Sequence, residues 1–324
     1  MADAAEYVGR LAPSPTGALH LGNVRTFMIA WLRARARGGK VIMRMEDLDH
    51  PKDKPGAAKD ALEDLRWLGF DWDEEYVQSA RKDLYREALD ILRREGLVYP
   101  CVCSRKDVES AQSAPHAGEQ LFYPGTCRGR FESWADAAAT LPEDRSPCWR
   151  FRVAEGTRVA FDDAFAGPFE QDVSRTLGDF PLARDEGGAG YTLAAVVDDL
   201  ATGVTEVVRG DDLIAATPAQ ILVARALAPR FARSGNTPAP SYCHVPLVVG
   251  PDGRRLAKRH GDTRVSAFRA RGGSAAEVLG LLAASCGWCA PGERVSLAAL
   301  LPRFDLKTVP HTPFVFDGGF EEVR

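Results

Sequence analysis

Residues 10–32 read "RLAPSPTGALHLGNVRTFMIAWL". Pro13, Pro15, Gly17 and Gly22 forbid regular structure at first, and regularity then sets in abruptly. From Val24 the apolar residues Phe27, Met28, Trp31 and Leu32 follow at i+3, i+4, i+7 and i+8, the spacing of a helix with one buried face. Upstream, Tyr7–Leu11 has the composition of a short strand. Downstream, Gly38-Gly39 ends the helix and Val41–Met45 forms a second compact strand. Strand, helix and strand joined this closely predict a parallel crossover, so the chain is α/β. The loop where strand passes to helix has two readings. It is an ordinary turn, or it is a bed for a phosphate-bearing ligand. Gly17 and Gly22 let a ligand approach the backbone, the helix start aims unpaired N–H groups forward, and His20 could donate to a phosphate oxygen.

The bulk properties narrow the function. A chain of 324 residues has room for about two domains and a large core. It is 45% hydrophobic and 27% charged, which excludes disordered and fibrous classes. No apolar run approaches the roughly 18 residues of a membrane span, and the first residues do not form a signal peptide. A cytoplasmic protein is expected. A net charge of −4 argues against a general nucleic-acid coat and leaves room for a local basic face. Seven cysteines are an odd number, and three of them lie between residues 101 and 127. Without a secretory signal, that cluster favours metal over disulfides.

Two further amphipathic helices follow the crossover, one carrying Ala58, Ala61, Leu62, Leu65 and Leu68, the other Leu84, Ala88, Leu89, Ile91 and Leu92. Gly69 and Gly96 end them. The character then changes: Trp149–Val153 and Val159–Phe161 are short β-like runs among Pro, Gly and Cys, with an alanine-rich helix at 134–139. The expected division is a first half of an α/β domain over 1–100, an inserted module over 101–184, the second half over 185–270, and a short helical region over 271–324.

A second constellation lies far down the chain. "GPDGRRLAKRHGD", residues 250–262, is a basic loop bracketed by glycines. A mobile lysine there can neutralise charge developing on a departing pyrophosphate. Taken with the first loop, it resembles the paired signatures of class I aminoacyl-tRNA synthetases. His20-Leu21-Gly22-Asn23 stands for the first and Arg255-Leu256-Ala257-Lys258-Arg259 for the second. "RMEDLD" (44–49), "LEDLRWLGFDWDE" (62–74), "LVYPCVCSR" (97–105) and "YTLAAVVDD" (191–199) with "VTEVVRGDDL" (204–213) narrow the likeness to the glutamyl branch. It covers roughly residues 7–265 and implies a Rossmann-type catalytic domain with a parallel sheet. It also implies ATP bound with Mg²⁺ by Pro13, Ser14, Gly17, His20, Gly22, Asn23, Leu256, Lys258 and Arg259, with His20 and Lys258 catalytic.

The amino-acid site follows from chemistry as well as from likeness. Glutamate presents two carboxylates and an ammonium, and so needs cations and an acid. Arg10 and Arg209 each offer a planar fork to a carboxylate, Glu46 can take the ammonium, and Ser14 and the Tyr191 hydroxyl can complete recognition. Arg10, Glu46, Tyr191 and Arg209 match the amino-acid-binding positions of the glutamyl family. Either arginine can serve the side-chain carboxylate. The second signature departs from the family pattern, with Arg255 for lysine and Ala257 for serine, so charge is kept and one hydroxyl donor is lost. Asn23 replaces the final histidine of the first signature.

Cys101, Cys103 and Cys127 supply three thiolates where structural zinc wants four ligands. On ligand chemistry the fourth would be His116. The pattern "CxC…YxxxC" resembles the zinc site of glutamyl-Q tRNA(Asp) synthetases, which implies Tyr123. "CGWC" at 286–289 ends a leucine- and alanine-rich run with no strand before it, and reads as structural. Cys148, Cys243 and His244 fit no signature.

Only about 60 residues follow Arg259, too few for a second RNA-reading domain. The glutamyl-tRNA synthetases carry a helical anticodon-binding region there, whereas the glutamyl-Q enzymes lack it. The resemblance thus implies glutamate activation with ATP and transfer to queuosine in the anticodon loop of tRNA(Asp), by a monomer with no membrane partner. The alternatives are a short glutamyl-tRNA synthetase charging the 3′ end, an adenylate-forming ligase of pantothenate-synthetase type, and a non-enzymatic RNA-binding relic.

Overall fold

A computed structural model describes residues 6–15, 17–48, 55–110, 122–184, 188–232, 239–256 and 263–318. The crossover is present: strand β1 (Val8–Leu11), helix α1 (Leu21–Arg35) and strand β2 (Lys40–Met45). β1 and β2 pair in parallel, with Gly9 opposite Val41 and Leu11 opposite Met43. The helix begins at Leu21, two residues before Asn23, near which the spacing places its start, because Asn23 reaches back over the first turn: the His20 N–H donates to Asn23 Oδ1 at 3.4 Å. Gly39 is dictated by close approach, since a Cβ there would stand 2.4 Å from the Tyr7 carbonyl oxygen.

Helix α2 (Ala57–Trp67) leads to strand β3 (Glu74–Val77), parallel to β2, and helix α3 (Lys82–Arg94) follows. Three antiparallel strands come from the next segment, β4 (Val98–Cys101), β5 (Cys148–Phe151) and β8 (Phe180–Ala183). Between β5 and β8 lie β6 (Arg158–Asp163) and β7 (Gly167–Asp172), which pair antiparallel with each other. Short helices α4 (Arg105–Ser110), α5 (Trp134–Ala138) and α6 (Val173–Thr176) fill the connections. Helix α7 (Tyr191–Thr202), strand β9 (Glu206–Gly210), helix α8 (Thr217–Phe231) and strand β10 (Ser241–Val245) then resume the α/β alternation.

β10 pairs in parallel with β9 and touches β6 through Tyr242 and Asp163. Residues 158–172, inside the span expected to form the inserted module, therefore lie along the edge of the catalytic sheet. The two sheets meet where β1 abuts β9: the Thr205 N–H donates to the Val8 carbonyl at 2.9 Å. In space the strands run β3-β2-β1, then β9-β10-β6-β7.

Side chains alternate across this sheet as the strand period requires. Val41, Met43 and Met45 join α1 and the later helix α10 (Ala275–Ala284) in one core cluster, while Ile42 joins α3, α7 and α8 in another. Two more short helices, α9 (Val265–Ala270) and α11 (Leu297–Leu300), complete the C-terminal region. Its last strand, β12 (Phe314–Val315), pairs in parallel with β11 (Val248–Val249), just ahead of the second signature. Among the described residues no helix is long and apolar enough to cross a membrane.

Candidate active site

In an open α/β sheet, ligands bind beyond the carboxyl ends of the strands, where neighbouring strands lead off in opposite directions. That point here lies between β1, whose chain continues towards β2, and β9, whose chain continues towards β10. A cleft of about 710 Å³ opens there. Arg10, Ser14, Glu46, Tyr191 and Arg209 line one part of it. Pro13, Gly17, His20, Gly22, Asn23 and Leu256 line the rest. Lys258 and Arg259, expected to serve the ATP end, lie outside the described residues, as do Ala257 and His116.

The charged groups at the amino-acid end are held from behind. Arg10 is buried and donates from Nη1 to the Val208 carbonyl at 2.9 Å, which ties β1 to β9. Burial pulls its guanidinium below the ordinary arginine value, and Asp199, 3.9 Å away, opposes that pull. Asp199 also accepts from Arg44 Nη1 at 2.5 Å, and Arg44 Nη2 donates to Glu46 at 2.9 Å. One acid on α7 thus braces both Arg10 and the arginine that positions Glu46. Burial acts against the Arg44 charge, yet Asp199 and Glu46 keep it firmly protonated. Glu46 keeps its second oxygen 3.5 Å from the Ser14 hydroxyl, at the cleft wall.

Arg209 is equally constrained. Its Nε donates to His244 Nε2 at 3.0 Å and its Nη2 to the Thr217 hydroxyl at 2.8 Å. Nη1 is left towards the cleft, 3.5 Å from the Tyr191 hydroxyl. Tyr191 opens α7 and is 44% exposed, so its ring is the accessible wall of the site.

The phosphate end is built mainly from backbone. His20 caps α1, and its Nδ1 lies 3.0 Å from the Thr263 hydroxyl. A Cβ at Gly22 would meet Val248 Cβ at 3.7 Å, ordinary contact, so among the described residues nothing crowds that face. The segment that follows the second signature is stitched to the first: the Val265 N–H donates to the Leu19 carbonyl at 3.0 Å, and His20 bridges to Arg264. Arg255, in the lysine position of the second signature, pairs with Asp212 at 3.2 Å beside the cleft.

The cysteine cluster stands apart from this cleft. Cys101, Cys103 and Cys127 bring their sulfurs within 4.8 Å of one another, a group able to hold a metal ion. Cys103 and Cys127 are 3.5 Å apart, and the Tyr123 hydroxyl lies 3.3 Å from Cys101 and 3.7 Å from Cys103. The Arg150 guanidinium sits 3.8 Å from the centre of the Tyr123 ring and pins it. Cys148, which fits no sequence signature, is the register partner of Cys101 across β4 and β5. A hydrogen bond from its thiol, aided by Arg150, brings Cys101 down to about 4 in spite of burial. Cys286 is buried in the core and Cys289 donates to the Gly280 carbonyl at 3.4 Å, in keeping with a structural "CGWC".

Asp199, Arg44, Thr217, Asp163 and His244 were not legible as site residues. The cue for the first two was available in "RMED" and "VVDD", where charges sit in otherwise apolar elements. Buried charges must be paired. The other three gave no local cue.

These positions define a class I synthetase of the glutamyl and glutaminyl kind, and residues 6–296 match the family described as tRNA synthetases class I (E and Q), catalytic domain. A glutamate tRNA ligase from Elizabethkingia meningosepticum CCUG26117, solved with its amino acid, superposes with a TM-score of 0.77 at 26% identity, over 96% of this chain and 67% of that one. Glutamyl-Q tRNA(Asp) synthetases from Symbiobacterium thermophilum and Rhodopirellula baltica are each 45% identical, over 94% and 96% of this chain and the same shares of their own. The chain belongs to the glutamyl-Q tRNA(Asp) synthetase family. As a member it is a ligase.

Proposed function

We infer that the enzyme activates glutamate with ATP and transfers it to queuosine in the anticodon loop of tRNA(Asp). The observation that carries the first step is the cleft itself. Two buried guanidiniums on adjacent strands and one braced carboxylate face the same space as a helix start. Arg10 and Arg209 hold the two carboxylates of glutamate, Glu46 its ammonium, and Tyr191 and Ser14 the remaining polar contacts. The ATP phosphates, with their Mg²⁺, lie along Pro13–Asn23 and the α1 N-terminus, with the adenosine end near Leu256.

A glutamate carboxylate oxygen attacks the α-phosphorus, forming a C–O–P linkage and breaking the bond to pyrophosphate. His20 and Lys258 stabilise the charge that gathers on the phosphate oxygens. A queuosine hydroxyl then attacks the acyl carbon and AMP leaves. The acceptor is inferred from the relatives, which are glutamyl-Q tRNA(Asp) synthetases. The reading extends to a cytoplasmic monomer with catalytic halves over 1–100 and 185–270, a module over 101–184 whose β6 and β7 return to the catalytic sheet, and a C-terminal region over 271–324.

The cysteine cluster suits structural zinc. Ligands about 2.0–2.3 Å from a tetrahedral zinc stand roughly 3.3–3.8 Å apart, and Cys103–Cys127, Cys101–Tyr123 and Cys103–Tyr123 are 3.5, 3.3 and 3.7 Å apart. Cys101, Cys103, Tyr123 and Cys127 would hold it, fixing the segment that carries Tyr123 and Cys127 to the end of β4. Metal analysis of protein purified without chelator should find one zinc per chain, lost in Cys127→Ser.

The test of function has two arms. Glutamate-dependent ATP–pyrophosphate exchange should proceed without tRNA. Radiolabelled glutamate should be transferred to tRNA(Asp) from queuosine-replete cells and not from queuosine-deficient ones. Label on tRNA(Glu), or on both tRNA(Asp) preparations alike, would support the short glutamyl-tRNA synthetase instead.

A further inference from the structure

His244 lies on β10 with no solvent exposure, one strand away from the glutamate cleft. Both ring nitrogens are committed, and their partners fix the proton. Nδ1 is 2.6 Å from Asp163 Oδ2. That carboxylate is ionised: burial pushes it up, but the His244 hydrogen bond and the amides of His244, Phe165 and Ala166 bring it down to about 2. An ionised carboxylate can only accept, so Nδ1 carries the hydrogen. On the other side, Nε2 receives the Nε–H of Arg209 at 3.0 Å. A guanidinium can only donate, so Nε2 must present a bare lone pair. Asp163 and Arg209 therefore demand one neutral tautomer between them. Burial, opposed by Asp163, lowers the His244 basicity in the same sense.

The consequence falls on Arg209. His244 and Arg209 are register partners on parallel strands, so their side chains share a face. With Nε held by His244 and Nη2 by Thr217, the guanidinium plane is set and Nη1 is presented to the cleft beside Tyr191. An arginine fork binds a carboxylate well only when its plane is fixed, because a bidentate contact is directional.

We propose that His244 is a positioning residue for glutamate: held by Asp163, it orients Arg209 for one of the substrate's carboxylates. This rests on the glutamate-activating function inferred above. Asp163 belongs to β6, so the edge of the sheet beyond β10 acts on the substrate site through two side chains without touching substrate. The chain link is long in sequence, since Asp163 and His244 are 81 residues apart, and short in space.

The experiment is glutamate-dependent ATP–pyrophosphate exchange by the full-length enzyme and three variants, with KM for glutamate, KM for ATP and kcat measured separately. His244→Leu removes the acceptor and should raise the glutamate KM roughly ten- to a hundredfold, with kcat and the ATP KM within about threefold. His244→Gln returns an oxygen able to accept from Arg209 Nε and should recover most of that loss. Asp163→Asn replaces an obligate acceptor with a group that can donate to Nδ1. It should turn the imidazole to the other tautomer, set Nε2–H against the Arg209 Nε–H, and raise the glutamate KM though it lies one residue further from the cleft. Should His244→Leu fail to fold, as judged by circular dichroism, the other two variants carry the test. An unmoved glutamate KM, equal losses in His244→Leu and His244→Gln, or parallel changes in both substrates' KM values would overturn the proposal. No glutamate-dependent exchange by the unaltered enzyme would overturn the functional reading itself, and this inference with it.

Discussion

The two ends of the cleft are built on opposite plans. At the amino-acid end, Arg10, Glu46 and Arg209 are each gripped by a buried polar partner: Asp199, Arg44 and His244 respectively. At the end expected to take phosphate, the described lining is mostly small residues, Pro13, Ser14, Gly17 and Gly22, with His20 and Asn23 at a helix start. The cation expected there, Lys258, comes from a distant stretch of sequence and lies outside the described residues. A small charged substrate must be recognised by side chains whose directions are fixed in advance, because each hydrogen bond is directional and each misplaced charge costs selectivity. A triphosphate presents several equivalent oxygens, and a row of N–H groups reads them without fixed side chains. On the proposed assignment, specificity is stored in one end and chemistry is delivered at the other.

The sharpest way to break this comparison is at its brace. Asp199→Ala leaves Arg10 and Arg44 buried without their shared carboxylate. Removing one partner of a buried ion pair costs about 3–5 kcal/mol. The melting temperature should fall markedly and glutamate binding should be lost with it, as read by thermal unfolding with and without glutamate. An unchanged melting temperature would mean the amino-acid end is not prestressed as described. Next in size is Lys258→Ala, where kcat for exchange should fall by roughly 10²–10³. The glutamate KM should stay near that of the unaltered enzyme and melting should not move. Equal loss of rate and glutamate affinity would erase the division of labour between the ends.

A smaller effect concerns acid. Asp163 is held to about 2 from an ordinary 3.8, so its contribution is fully present above that ordinary value. It is lost as pH falls from there towards 2, because the unfolded chain takes up the proton in that window while the folded carboxylate still refuses it. The difference corresponds to roughly 2 kcal/mol. Stability measured by denaturant between pH 5 and 2 should decline less steeply in Asp163→Asn than in the unaltered protein. The smallest expected change is Ser14→Ala. Its 3.5 Å contact to Glu46 is exposed and weak, so glutamate affinity should shift by about 1 kcal/mol or less. A larger shift would show that Glu46 is positioned from the loop as well as from Arg44.

How much of this was legible in the sequence depends on the range of the interaction. The β1–α1–β2 crossover could be read because its periodicities are local: Val24 to Leu32 repeats as a helix must, and Val41 to Met45 alternates between two core clusters. The site residues were legible only through the two signature loops and their resemblance, since Arg10 and Glu46 carry no local cue to a shared pocket. The return of β6 and β7 to the catalytic sheet was not legible. Its short β-like runs look the same whether they pair within an insertion or with β10. His244 was not legible for the same reason: its meaning comes from Asp163 and Arg209, both distant in sequence, and a lone histidine in an apolar strand announces neither. Cys148 became informative only through its register opposite Cys101.

One further consequence comes from β12. The Phe314 N–H donates to the Leu247 carbonyl at 2.9 Å and the Phe316 N–H to the Val249 carbonyl at 2.8 Å. Immediately after β11, Gly250 begins the turn into the second signature, with its N–H donating to the Arg254 carbonyl at 2.9 Å. The C-terminal segment thus ties down the strand that leads into the second signature. Cutting the chain before Phe314 would strip β11 of its partner strand, and the expected outcome is a raised KM for ATP with the KM for glutamate little changed. The damage would be felt first by ATP.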